Sequence, residues 1–190
     1  MAKPRITVET DIVAKAPITL LAHAAMQKMR KGKSGVLFGK HRPDWKLINA
    51  SIEWDMDKKT KSPTGVSAFV IKVRYSGQIY ISKAIDKNSK CFKLVKEHEQ
   101  EHQKICIAGT KAATGACRKI LKKHFDAVLR SYKGDIKKLS ANEATAVKKI
   151  AFGAFKEMDD GPYFKVAVKS LKIDTDSHYS KISPHCAEYG

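Results

Sequence analysis

The sequence predicts an α+β fold, and three observations predict it. The first half carries alternating, β-branched stretches, a helical apolar stripe runs through residues 91 to 108, and two more amphipathic stretches follow between residues 110 and 158. Taken in order, Pro4 to Ile12 alternates apolar and polar residues as a half-buried strand. Ile18 to Arg30 reads as a helix with Leu21, Ala25 and Met29 on one face. The tract Met29-Arg30-Lys31-Gly32-Lys33-Ser34-Gly35 lacks the spacing of a phosphate-binding loop and reads as a helix exit and turn. Trp45 to Trp54 has a strand pattern. Val66 to Tyr75 and Gln78 to Ser82 read as two strands of a hairpin joined by Ser76-Gly77. Cys91, Leu94, Val95, Ile105 and Ala108 trace the helical stripe. Helices at about 110 to 131 and 141 to 158 form a helical lower lobe beneath a small twisted sheet. Tyr163 to Ile173 is ambiguous, since Phe164, Val168 and Leu171 suit a helix while the β-branched content suits a strand.

Composition bounds the function. With 190 residues, 43% of them hydrophobic, the chain can bury a proper core, and its length favours a single domain over residues 1–190. No apolar run approaches the roughly 18 residues of a membrane span. The first thirty residues lack the basic, apolar and small-residue succession of a signal peptide, though removal of a signal would leave the same start. The 37 Lys and Arg outnumber the 19 Asp and Glu, for a formal charge of +18, so an anionic partner or environment is expected. Nucleic acid, an anionic envelope polymer or membrane surface, and acidic protein substrates all fit the sign. Only six of the cations are Arg and none interleaves with aromatics, which argues against base-edge readout.

The chemistry concentrates in His98-Glu99-Gln100-Glu101-His102. On a helix, residues four apart stand on one face about 6 Å apart, so two imidazoles can reach one ion. Neutral imidazoles suit Zn²⁺, and a carboxylate beside the first His can take a proton from a water on the ion, which makes Glu99 the candidate general base. The segment is nearly palindromic. Read from its other end it satisfies the inverted HxxEH pattern with Glu101 as base, and the residues alone leave both assignments open. The remaining glutamate, with Gln100 and Gln103, would form an ordinary polar face.

A catalytic zinc normally takes three protein ligands. The longer HExxHxxGxxH pattern fails, because position 105 is Ile and position 108 is Ala. Glu143, opening a later helix, is the candidate third ligand. It also completes a capping box, Ser140-Ala141-Asn142-Glu143, in which Ser hydroxyl and Glu carboxylate satisfy free amides. His124 can ligate only if Gly109 or Gly115 breaks the helix after the motif. Tyr163 and His124 are candidates to assist an oxyanion. The cysteines at 91, 106, 117 and 186 form no C-x-x-C pair, which disfavours a structural zinc knuckle and leaves disulfides or buried thiols.

The run from Gln78-Ile79-Tyr80-Ile81-Ser82 through Cys91 to His98-Glu99-Gln100-Glu101-His102, with the tail Ile173-Asp174-Thr175-Asp176-Ser177-His178-Tyr179 ending at Cys186, resembles a little-characterised bacterial family of exported, predicted zinc proteases. The resemblance covers about half the chain. It implies a zincin-like fold, a metal held by His98 and His102, catalysis by Glu99, and export, with the cytoplasm as the alternative compartment. It also implies a Cys91–Cys186 bridge tying the tail to the motif helix, while Cys106 and Cys117 suit inert core positions. This chain departs from the family in those two cysteines and in its positive charge. The expected function is therefore hydrolysis of a peptide or protein substrate by metal-activated water. Two other readings are a basic protein that binds nucleic acid or an anionic envelope polymer, and a zincin-like scaffold without activity.

Overall fold

Strands fill the first half of the chain and helices the second, in a computed structural model that describes residues 3–29 and 36–189. Most of the Met29-to-Gly35 tract thus lies outside the described residues. The strands are β1 (Arg5–Ile12), β2 (Ile18–Leu21), β3 (Gly39–Met56) and β4 (Pro63–Ser82). The α-helices are α1 (His23–Lys28), α2 (Lys90–Ser131), α3 (Ile136–Ala141), α4 (Glu143–Met158), α5 (Phe164–Ser170) and α6 (Asp176–Ile182). The α+β class expected from the sequence is what the structure has.

β4 is the hub of the sheet and pairs with β1, β2 and β3. Its β-branched and aromatic residues suit a strand flanked on both sides. β2 runs parallel to it, with Ile18 opposite Ile79 and Leu21 opposite Ser82. Two local expectations are corrected here. Ile18 to Leu21 opens not a helix but a strand, because a ready partner in β4 outweighs a weak helical pattern; only His23–Lys28 is helical. The expected hairpin at Ser76-Gly77 does not form, and the strand passes straight through. Gly77 has no positive φ. Its missing side chain makes room instead: a Cβ there would stand 2.6 Å from His41 Nε2.

α2 is a single 42-residue helix that Gly109 and Gly115 do not break. Each glycine costs about 1 kcal/mol of helix propensity, less than the helix gains by burying Cys91, Val95, Cys106, Cys117, Leu121, Phe125 and Val128. It ends where Lys133 and Gly134 take positive φ and the Gly134 N–H turns back to the Leu129 carbonyl. The ambiguous stretch after α4 is helical throughout, as a π turn at Asp159–Tyr163 containing Pro162, then α5, then a 3₁₀ turn at Leu171–Ile173.

The chain forms two compact units. The first comprises residues Met1–Asp11, Trp45–Arg74 and Thr110–Lys165. Its core packs Phe69, Ile71 and Val73 of β4 with Leu121, Phe125 and Val128 of α2 and Ile150, Ala154 and Met158 of α4. The second comprises Ile12–Asp44, Tyr75–Gly109 and Val166–Gly190. Its core sets Ile79, Ile81 and Ile85 against Cys91, Val95 and Ile182. Within it, a disulfide joins Cys91 to Cys186, as the resemblance implied, while Cys106 and Cys117 are buried free thiols.

Candidate metal centre

The motif lies on the first half of α2, within the second unit, and the helix turns both imidazoles inward. Their side chains are 6% and 5% exposed. Asp174, just past the 3₁₀ turn after α5, meets them. Its Oδ1 lies 3.0 Å from His98 Nε2 and 3.0 Å from His102 Nε2, and the two nitrogens are 3.2 Å apart. Among the described residues, His98, His102 and Asp174 form the one group able to hold a metal ion.

The donor chemistry fits that use. Ligand atoms arranged tetrahedrally at zinc distances stand about 3.4 Å from one another, close to the spacings found here. The other ring nitrogen of His102 donates to the Ser170 carbonyl, so its Nε2 is free to present a lone pair to an ion. Without an ion, protons and charge do that work. Burial works against a charged His102, but its bond to Asp174 and the charges of Glu99 and Asp174 outweigh burial and raise its pKa. Burial likewise opposes an ionised Asp174, yet the two imidazoles hold its carboxyl well below the usual range. The Tyr179 hydroxyl donates to the same Oδ1 at 3.2 Å.

Glu99 is 4% exposed. It takes the room left by Gly39, where a Cβ would lie 2.7 Å from Glu99 Oε1 and 2.5 Å from Val95 Cγ1. The carboxylate accepts from the backbone N–H of His41, while Oε2 is buried without a partner. Burial pushes its pKa up to about 7, against the pull of the His102 and His98 charges. Glu101, the base of the inverted reading, is about half exposed and pairs with Lys104 at 3.4 Å. Gln103 is not on a polar face; it is buried and donates to the Ala14 carbonyl at 3.1 Å.

His41 stacks parallel to His102 with ring centroids 6.3 Å apart, and its Nε2 lies 3.3 Å from the Tyr75 hydroxyl. Its Nδ1 is buried and unpartnered. Burial, with help from the His102 charge, lowers its pKa to about 4.

The other expected residues are occupied elsewhere, in the first unit. Glu143, expected as the third ligand, is not in the metal-binding group; its Oε2 accepts from Trp54 Nε1 at 3.0 Å. Nor does it complete a capping box, because Ser140 belongs to α3 and its hydroxyl donates to the Lys137 carbonyl. His124 bonds Glu157 at 2.9 Å. Tyr163 is buried, stacked on Trp45 at 5.2 Å and bonded to Cys117. Asp174 lies 72 residues beyond His102, so no spacing rule links the two; the tail Ile173-Asp174-Thr175 was its only sequence signal. Comparison with protein-family models, with curated proteins and with solved structures gives no match to this chain.

Proposed function

We propose that the chain is a zinc-dependent peptidase, with His98, His102 and Asp174 holding the ion and Glu99 as general base. One observation carries this reading. Three lone-pair donor atoms converge within 3.2 Å of one another beside a buried carboxylate with one unpaired oxygen. Bound zinc would supply Lewis acidity, polarising a carbonyl and making a water acidic near neutrality. Glu99 Oε1 is anchored by Gly39 and the His41 amide, which leaves Oε2 to take the proton and return it to the leaving amine. Burial favours the protonated form of this carboxyl and so suits it to accepting a proton. Ser170 and Tyr179 keep His102 and Asp174 in place. The resemblance of the motif and tail to exported zinc proteases supports a peptide bond as the target. The Cys91–Cys186 bridge supports an oxidising compartment.

The test is metal content and hydrolysis on one preparation. The purified protein should carry one zinc per chain and cleave a quenched fluorescent casein. Glu99→Gln should keep the zinc and lose activity by a factor of about 10²–10⁴, while Glu101→Gln stays near wild type. A metal-free wild-type protein, or full activity in Glu99→Gln, would sink the proposal. Reversed effects of the two glutamates would move the base to Glu101.

A further inference from the structure

α4 packs Ala146, Ile150, Ala151, Ala154 and Met158 into the core of the first unit. Its outward face should then be polar. Phe152, which points outward, is instead 60% exposed. At 100° per residue, Lys148, Lys156 and Lys149 all fall within about 60° of Phe152 around the helix. All three are exposed, and none pairs with a carboxylate among the described residues. The acidic residues of α4 are engaged away from this face, Glu143 with Trp54 and Glu157 with Lys123 and His124. Asp159, at the start of the π turn beyond the helix, falls about 20° from Phe152 around the axis but two turns further along it, and is itself engaged.

An exposed aromatic ring flanked by three lysines, with Asp159 two turns further on as the one carboxylate near its direction, adds nothing to the core of the unit. We infer that the outer face of α4 docks on a lipid bilayer carrying anionic headgroups, with the lysines against the headgroups and Phe152 buried at the acyl boundary. Lysines are compact point charges on apolar stems that reach headgroups while the ring sits deeper. A nucleic-acid platform would instead offer several stacking aromatics along a groove, and here there is one ring on a convex helix. The net charge of +18 favours the same partner.

The full chain is sedimented with vesicles of pure phosphatidylcholine, and with vesicles of seven parts phosphatidylcholine to three parts phosphatidylglycerol. Binding should require the anionic lipid and weaken as salt rises from 50 to 500 mM. Lys148→Ala with Lys149→Ala should weaken it by about 30-fold, at about fivefold per lysine. Phe152→Ser should cost about tenfold. Phe152→Trp should show a blue shift with anionic vesicles only. Lys58→Ala with Lys59→Ala, the same charge change in the exposed turn after β3, is the control and should leave affinity within about twofold. Equal loss in the control, or wild-type binding by Phe152→Ser, would overturn the docking face. So would binding to a single-stranded oligonucleotide with none to vesicles, which would assign the face to nucleic acid. Unchanged thermal unfolding of the variants would show that lost binding is not lost fold.

Discussion

Asp174 Oδ1 is approached by His98 Nε2, His102 Nε2 and the Tyr179 hydroxyl, all within 3.2 Å, and its carboxylate is the only anionic member of the group that could hold a metal ion. Asp174→Asn keeps the shape but removes the charge. It should lower zinc affinity by more than the roughly 10–100-fold typical of residues that only orient a ligand. Glu143→Gln should leave zinc affinity alone and cost about 1 kcal/mol of stability through its bond to Trp54. Competition with a chromophoric chelator and urea unfolding check the pair; zinc loss in Glu143→Gln with none in Asp174→Asn would reverse the assignment. His41 makes a pH prediction for the zinc-free protein. Its native pKa of about 4 lies below the 6.5 of an unfolded histidine, so between those values the unfolded chain binds a proton that the native chain refuses. The stability from neutral His41 is complete above pH 6.5 and is lost as pH falls toward 4. The loss from pH 7 to pH 5 should be about 2 kcal/mol. His41→Gln should flatten that part of the urea-midpoint profile, and an unchanged slope would rule His41 out as its source.

At the scale of elements, the start of β3 and the first half of α2 meet through glycine. Gly39 is buried, and its missing side chain is where Val95 and Glu99 fit. Gly39→Ala should cost about 1–3 kcal/mol, since a Cβ 2.5 Å from Val95 Cγ1 and 2.7 Å from Glu99 Oε1 forces both side chains to shift. Because Glu99 moves while the ligands do not, zinc content should persist as activity falls. Parallel zinc and rate measurements test this, and an alanine variant as active as wild type would show that the carboxylate is not held by this contact. Gly109 lies where a Cβ would be 2.7 Å from Val166 Cγ1, at the contact that brings α5 and Ser170 alongside α2. Both glycines look like helix or strand breakers in sequence, yet each serves close approach.

At the scale of the molecule, the Cys91–Cys186 bridge closes a span of 95 residues, from the first turn of α2 to the tail that carries Asp174. In the chain-entropy model such a loop contributes about 4.7 kcal/mol. Replacing both cysteines by serine should lower stability by about that amount and weaken zinc binding, because Asp174 would no longer be tethered near His98 and His102. A linked Cys91–Cys186 peptide in a non-reduced digest is the direct check. An unchanged urea midpoint and zinc affinity in the double variant would remove the bridge from the metal site's support. No helix among the described residues is long and apolar enough to cross a membrane.

The α+β class, β1, the motif helix and α4 were legible in the residues alone, because they depend on periodicities that neighbouring residues set among themselves. The sequence also placed His98, Glu99 and His102 together, since one helical turn fixes their spacing. Tertiary structure alone decided the rest. Ile18 to Leu21 became a strand because β4 offered an edge, and Gly77 became a space for His41 rather than a turn. Glu143 was drawn to an indole 89 residues away, while Asp174 arrived from 72 residues beyond His102. Contacts at such separations obey no local period; they are chosen by packing and by the need of buried polar groups for partners.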